Sequence, residues 1–404
     1  MKIILVGFCV SARYFDKYAA GDAAPQVAAF KLERRFLHAL RLGGAEVNTI
    51  STVAVSTYPR NPYIYLPGYS KPASGGIKEI VRPLVNLPFL KLTSRFIGVL
   101  GALFAQAPRE AQVLCVYSAH SPNLLAAYIY SAFTSSPYYV YVPDLPVYMG
   151  LGVRRSFFIN ILKRIDAKFI DFLLAKAAGL IISSKHMVDD NPVFRYTPSL
   201  VVEGISEQEL EVAGSCFEPL LDFSGKKVIF YAGGVNRSYG VVELVEGFKR
   251  SGSSCELWLC GRGDLEEYLM SEARINQSIK YLGFLPPAQV HAIQRHAAIL
   301  ALTRDPAEKY TRYSFPSKLL EYLSSGVPVM STRLDGVPLE YYSYLNVIED
   351  FSIDGIAEKI AYLDRCDCNE LFERARAARE WVLREKTSAA VGKKIVNFME
   401  VSCG

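Results

Sequence analysis

A chain of 404 residues, half of them hydrophobic and 12% aromatic, is too apolar for disorder and too long for one core, so it predicts a two-domain, enzyme-sized protein. A formal charge of +5 and a pI near 8.6 are too weak for a dedicated nucleic-acid binder and leave anionic small molecules or an anionic membrane surface as partners. Eight cysteines with neither a C-x-x-C pair nor a zinc spacing fit a reduced, cytoplasmic protein.

In chain order, MKIILVG reads as a first buried strand rather than a signal peptide, and no stretch reaches the roughly 18 apolar residues of a membrane span. Helical periodicity at 25–42, strands at 47–50 and 113–117, a helix at 123–132 and a strand at 139–142 follow. A helix at 156–178 and strands at 180–183 and 200–202 complete a βαβ rhythm, hence a parallel, helix-covered sheet. Residues 57–76, rich in Tyr and Pro and without a period, predict a long loop at the mouth of a cleft, either a tolerated insertion or an acceptor entrance. Segments 87–107 and 154–176 mix apolar faces with Lys91, Arg95, Arg154, Arg155, Lys163 and Arg164. They read either as helices lying on an anionic bilayer or as core-packed helices.

The polar stretch 209–226 predicts a linker between a first domain, 1–208, and a second, 227–385. The tail 386–404 is expected to pack back toward the first domain. The second rhythm runs through strands at 228–231, 256–260, 279–282, 299–302, 327–331 and 346–348, with helices at 241–249 and 287–296 and a last helix at 369–386. Two Rossmann-like parallel-sheet domains facing across a cleft are the predicted α/β architecture.

The densest chemistry lies in YSFPSKLLEYLSSGVP, residues 313–328. Ser317 is placed as the N-cap of a helix that Gly326 stops. Its free N–H groups and the Lys318 ammonium suit a diphosphate, and Glu321, one turn in, can accept hydrogen bonds from vicinal hydroxyls. An ordinary capped helix with a surface lysine and glutamate is the alternative. In AGGVNRSYG, Gly233 and Gly234 allow close backbone approach to an anion and Arg237 adds charge, although a simple tight turn has the same look. Arg304 ends a strand at the carboxyl edge of the second sheet, where it can fork onto a pyrophosphate or form a surface ion pair. His120 and Asp144 end strands of the first domain. Each either caps a helix or orients the reacting sugar and takes an acceptor proton. Neither glycine turn spells G-x-G-x-x-G, against a dinucleotide redox enzyme.

The ordered set FYAGGVNRSYGVVELVEGF, LWLCGRGDLEEYL, YLGFLPPAQVHAIQRHAAILALTR and YSFPSKLLEYLSSGVPVMSTRLDGVPLEYYSYL resembles the GT-B retaining glycosyltransferases of group 1, family 4-like, of the polysaccharide-building type. In the first half, YSAHSPNLLAA and VPDLPVYM are weaker echoes of the acceptor domain of such enzymes. The resemblance implies a nucleotide-sugar donor, a UDP-sugar, held by the second domain and transferred to a saccharide or lipid-linked saccharide acceptor. The cytoplasmic protein would then lie at, or peripheral to, the inner face of the membrane. It puts Glu321 on the ribose as the second glutamate of E-x7-E, Ser317 and Lys318 at the phosphates, and Gly233 and Gly234 beside the diphosphate. Asn236, Arg237, Arg304, Tyr313, Ser314 and Phe315 complete the expected donor site, with His120 and Asp144 as the catalytic pair. Tyr313 stands where the family carries its first glutamate, Tyr239 where many relatives carry a lysine, and Asp144 in the zone where some carry a histidine. Arg304, Arg237 and Lys318 are the cations left to substitute. No D-x-D occurs, so no metal cofactor is expected. A sugar-nucleotide epimerase and a non-catalytic GT-B partner that binds sugar nucleotide are the competing readings.

Overall fold

The computed structural model describes residues 1–72, 78–106, 112–144, 157–206, 223 and 225–401. The chain divides into unit 1, Met1–Ile205 with Ser388–Gly404, and unit 2, Ser206–Thr387.

Unit 1 contains strands β1 (Lys2–Gly7), β2 (Glu46–Ser51), β3 (Tyr65–Leu66), β4 (Tyr69–Pro72), β5 (Lys78–Val81), β6 (Leu84–Val85), β7 (Gln112–Tyr117), β8 (Tyr138–Val142), β9 (Gly179–Ile182) and β10 (Ser199–Val201). Eight of them form one sheet in the order β10-β9-β8-β7-β1-β2-β5-β4, while β3 pairs with β6. All neighbours in the large sheet are parallel except β4, which runs antiparallel to β5 at the edge. Every residue of β1 after Lys2 is buried, as a parallel sheet covered on both faces requires. Ile3 and Leu5 join Phe36 and Leu40 of helix Val27–Leu42 and Val391, Ile395 and Met399 of helix Ser388–Val401 in one core. The Tyr139 hydroxyl donates to the Met399 carbonyl at 3.0 Å and ties that last helix to β8. Helices Leu90–Ala105, Ser121–Thr134 and Phe157–Ala175 pack in succession against one another.

Unit 2 contains β11 (Val228–Ala232), β12 (Glu256–Cys260), β13 (Ile279–Tyr281), β14 (Ile299–Leu302), β15 (Val329–Thr332) and β16 (Asn346–Ile348). Their order, β13-β12-β11-β14-β15-β16, is parallel throughout and is the doubly wound Rossmann order. In such a sheet the chain reverses its winding between the first and fourth strands, here β11 and β14, and opens a crevice at their carboxyl ends. Unit 1 has the same feature between β1 and β7.

Three readings are corrected. The part of 57–76 that lies within the described residues is not a bare loop but carries β3 and β4. Its backbone is fixed by side chains: the Tyr69 hydroxyl accepts from Ser11 N–H at 2.8 Å and donates to Glu79 at 2.6 Å, and Asn86 Nδ2 donates to the Ser56 and Tyr63 carbonyls, both at 3.0 Å. Ser317 is the first helical residue rather than the N-cap. Pro316 holds the cap position at φ −71°, ψ 101°, with no side-chain capping bond, because its ring fixes φ and the extended ψ delays the helix by one residue. Helix Ile353–Arg365, capped by Ser352 Oγ accepting from Gly355 N–H, was not anticipated. Of the two readings of segment 87–107, core packing holds for Arg95, which is buried, and for Lys91, whose ammonium donates to the Val55 carbonyl. Arg154 and Arg155 lie outside the described residues.

Candidate active site

At the crevice of unit 2, the turn after β11 begins with Gly233, whose N–H donates to the Cys260 carbonyl at 3.0 Å. A Cβ on Gly261 would stand 1.7 Å from the Gly233 carbonyl oxygen, so β12 and this turn meet only because position 261 is glycine. The turn ends at Gly240, φ +68°, where a Cβ would lie 1.7 Å from the Thr303 carbonyl oxygen. Thr303 Oγ1 donates to the Gly240 carbonyl at 3.1 Å and Thr332 Oγ1 to the Arg304 carbonyl at 2.7 Å. The backbone under Arg304 is therefore held from both sides. Its guanidinium lies 5.1 Å from the Tyr239 ring centroid and 5.8 Å from that of Tyr310, and the Tyr310 hydroxyl donates to the Ser238 carbonyl at 3.1 Å. With its guanidinium over these rings, Arg304 makes no side-chain hydrogen bond among the described residues and has its donors available.

Helix Ser317–Ser325 is spliced to the same turn. The fully buried Tyr322 hydroxyl accepts from Ala232 N–H at 2.8 Å and donates to the Ala232 carbonyl at 3.1 Å. On this helix Glu321 Oε1 accepts from Lys318 Nζ at 2.6 Å and from Gln294 Nε2 at 2.7 Å, with His291 Nε2 at 3.4 Å. Burial would raise the Glu321 pKa, but these hydrogen bonds and the lysine charge outweigh it and pull it down to about 2. Glu321 is an ionised acceptor with its orientation set by three donors, and the Lys318 side chain beside it remains 34% exposed.

The remaining expected donor residues divide. Asn236 faces a neighbouring loop, where its Oδ1 accepts from Asp264 N–H at 3.2 Å, and Arg237 is exposed with its backbone N–H on Asp264 at 3.1 Å. Tyr313 closes the short helix Lys309–Tyr313, Ser314 Oγ donates to the Tyr310 carbonyl at 3.0 Å, and Ser317 is exposed. Phe315 belongs to the core, its ring 5.1 Å from that of Tyr341. His291, Gln294 and Tyr310 were missed by sequence reasoning, although the i, i+3 pair His291 and Gln294 on helix Pro287–His296 marks one face.

At the crevice of unit 1, Phe8 follows β1 and His120 follows β7, with rings 5.3 Å apart edge to face. His120 Nε2 lies 3.1 Å from Arg95 Nη1. Burial first, then the charges of Arg95 and Lys91, hold the His120 pKa well below its usual value. Asp144 follows β8 and is exposed. Glu33, on helix Val27–Leu42, reaches back to this edge. Its Oε1 accepts from Phe8 N–H at 2.7 Å, and burial pushes its pKa up to about 8 against the opposing pull of backbone bonds from Phe8 and Cys9. It borders a cavity of about 30 Å³ together with Phe8, Phe15, Phe30 and Tyr117.

Residues 217–381 match the family model of glycosyl transferases group 1. Unit 2 is a group 1 glycosyltransferase domain. Among curated proteins none matches the chain. Among solved structures, sucrose-phosphate synthase from Thermosynechococcus elongatus superposes with a TM-score of 0.66 at 14% identity, covering 99% of this chain and 98% of its own. The lipopolysaccharide outer core galactosyltransferase WaaB in its apo form does so with a TM-score of 0.62 at 16% identity, covering 99% of each chain. HepE of Anabaena in complex with UDP gives 0.61 at 13% identity, covering 99% of this chain and 100% of its own. These likenesses run over the whole length of the chain, and its fold is GT-B. Among the described residues no helix is long and apolar enough to cross a membrane.

Proposed function

We propose that this glycosyltransferase takes a sugar from a nucleoside-diphosphate donor, a UDP-sugar, and transfers it with retention at the anomeric carbon to a saccharide acceptor, lipid-linked, in cell-surface polysaccharide assembly. The observation that carries the donor reading is the ionised Glu321 beside the Gly233 turn, with two cations, Lys318 and Arg304, on the same sheet edge. A carboxylate held ionised and oriented suits vicinal ribose hydroxyls, and the cations suit the negative charge that builds on a departing diphosphate. In this reading Glu321 binds the ribose, Lys318 and Arg304 the diphosphate, and the Gly233–Gly234 backbone approaches the phosphates. No metal is invoked: activity that survives excess chelator is the expected result, and loss restored only by Mg²⁺ or Mn²⁺ overturns that part. The UDP in the HepE complex and the polysaccharide context of WaaB support the donor and pathway class.

The lipid-linked acceptor draws support from an exposed apolar face on unit 1. Helix Leu90–Ala105 shows Leu90, Leu92, Ile97 and Phe104 after an exposed Phe89, and helix Phe157–Ala175 shows Ile161, Leu162 and Ile165 among exposed Lys163, Arg164 and Lys168. Apolar side chains flanked by lysine and arginine suit an anionic bilayer. Thermal shifts across a nucleotide-sugar panel, followed by NMR of the product anomer, test the transfer reading. A panel without any shift sinks it. Flotation with phosphatidylglycerol vesicles at low salt tests the surface, and protein left at the bottom of the gradient removes the membrane part alone.

A further inference from the structure

Arg95 is an arginine that the donor chemistry does not use, and its surroundings define a task. It is 3% exposed. Its Nε–H donates to Thr52 Oγ1 at 2.7 Å, Nη2–H donates to the Val53 carbonyl at 2.9 Å, and Nη1 lies 3.1 Å from His120 Nε2. The guanidinium sits 5.0 Å from the centroid of Phe8, the ring that also meets His120 edge to face. Burial lowers the Arg95 pKa only to about 10, so it stays charged at neutral pH. A guanidinium has donors and no acceptor, so the ring nitrogen opposite it must be the acceptor. That places the imidazole proton on Nδ1, which is buried without a partner among the described residues. The other charged group acting on His120 is Lys91, a second cation from the same helix, while on the β1 side the Glu33 carboxyl is engaged by the Phe8 N–H at 2.7 Å. Both cations disfavour an imidazolium.

We infer that Arg95 is a positioning residue that holds His120 as the neutral Nδ1–H tautomer, so that His120 does not take the acceptor's proton. The Nε2 lone pair that a base would use is already engaged by the guanidinium. The inference leans on the glycosyl-transfer reading for its kinetic consequence only.

The full chain labelled with ¹⁵N-histidine, with His120→Gln to identify the signal, tests this by two-bond ¹H–¹⁵N correlation between pH 5.5 and 8. A proton on Nδ1 and no titration across that range are expected. A proton on Nε2, or titration near the ordinary histidine value of about 6.5, overturns the inference. Arg95→Met is expected to mix the tautomers or restore titration, and to lower kcat about 10-fold or more while the donor KM stays within about twofold; Arg95→Lys, which keeps a donor, is expected to recover part of both. If Arg95→Met fails to fold, Thr52→Val, which removes only the acceptor of Nε–H, is expected to shift the same signal. An unchanged His120 spectrum in either folded variant overturns the inference. Absence of turnover in the wild type would overturn the transfer reading, and the spectrum would still decide the tautomer.

Discussion

The crevices of the two units handle charge in opposite ways. In unit 2, Lys318 and Glu321 neutralise each other across 2.6 Å at the rim, and Arg304 lies over two tyrosine rings with its donors uncommitted among the described residues. In unit 1, Arg95 and Glu33 are both buried, each satisfied by backbone or neutral groups rather than by a counter-ion. Exchangeable ion pairs suit a ligand that arrives charged, because the lysine can trade part of its bond to Glu321 for a phosphate oxygen. The buried Arg95 charge, with neutral partners, cannot be traded and acts instead on the protonation state of His120, while Glu33 avoids a buried charge near neutral pH by holding its proton.

Four measurements break or sharpen this contrast. Glu321→Ala removes the acceptor of three donors and is expected to weaken UDP binding about 100-fold, on the order of 3 kcal/mol, by calorimetry. Wild-type affinity in that variant would sink the donor assignment. Because the Glu321 pKa lies near 2, wild-type binding is also expected to show no titration around the ordinary glutamate value of 4.5.

Glu33→Gln addresses unit 1. The folded pKa, about 8, is raised above 4.5, so the contribution of Glu33 to stability is present below about pH 4.5 and lost as the pH rises through 8. The wild type should lose on the order of 1–3 kcal/mol between pH 5 and 8, and the glutamine variant should lose little of it, as read by urea denaturation. Parallel pH profiles would mean that Glu33 is ionised at low cost and that the contrast between the units fails.

Arg304→Gln is expected to weaken UDP about 10-fold and UMP about twofold or less if Arg304 forks onto the diphosphate as proposed. Equal losses for both nucleotides would move Arg304 away from the diphosphate. The smallest effect is expected from Tyr322→Phe, a loss of about 1 kcal/mol with faster amide exchange at Ala232, whose buried N–H loses its acceptor.

The meeting of Lys318 and Glu321 was legible in the sequence because it is local. Lys318 and Glu321 lie on one turn of a helix, and a glycine pair after a buried strand is a short-range signal. The donors that orient Glu321 come from His291 and Gln294 on another helix, and no periodicity links them to it. In unit 1, the apolar pattern of helix Leu90–Ala105 left bilayer contact and core packing equally open for Arg95, because the partners that bury it, Thr52 and Val53, follow a strand some 40 residues earlier. The Tyr- and Pro-rich stretch was misread for a related reason. Its order comes from asparagine and tyrosine side chains bonded to backbone, which hydrophobic patterning does not register.

The return of helix Ser388–Val401 to unit 1 sets a clock on synthesis. Val391, Ile395 and Met399 complete a core begun by Ile3 and Leu5, yet all of unit 2 is translated in between. At about 5–20 residues per second, the roughly 180 residues of unit 2 take about 10–40 s. For that interval the apolar face of Phe36 and Leu40 stands without the helix that finally covers it, open to whatever else the cell offers, while unit 2 is already free to fold as soon as it clears the ribosome.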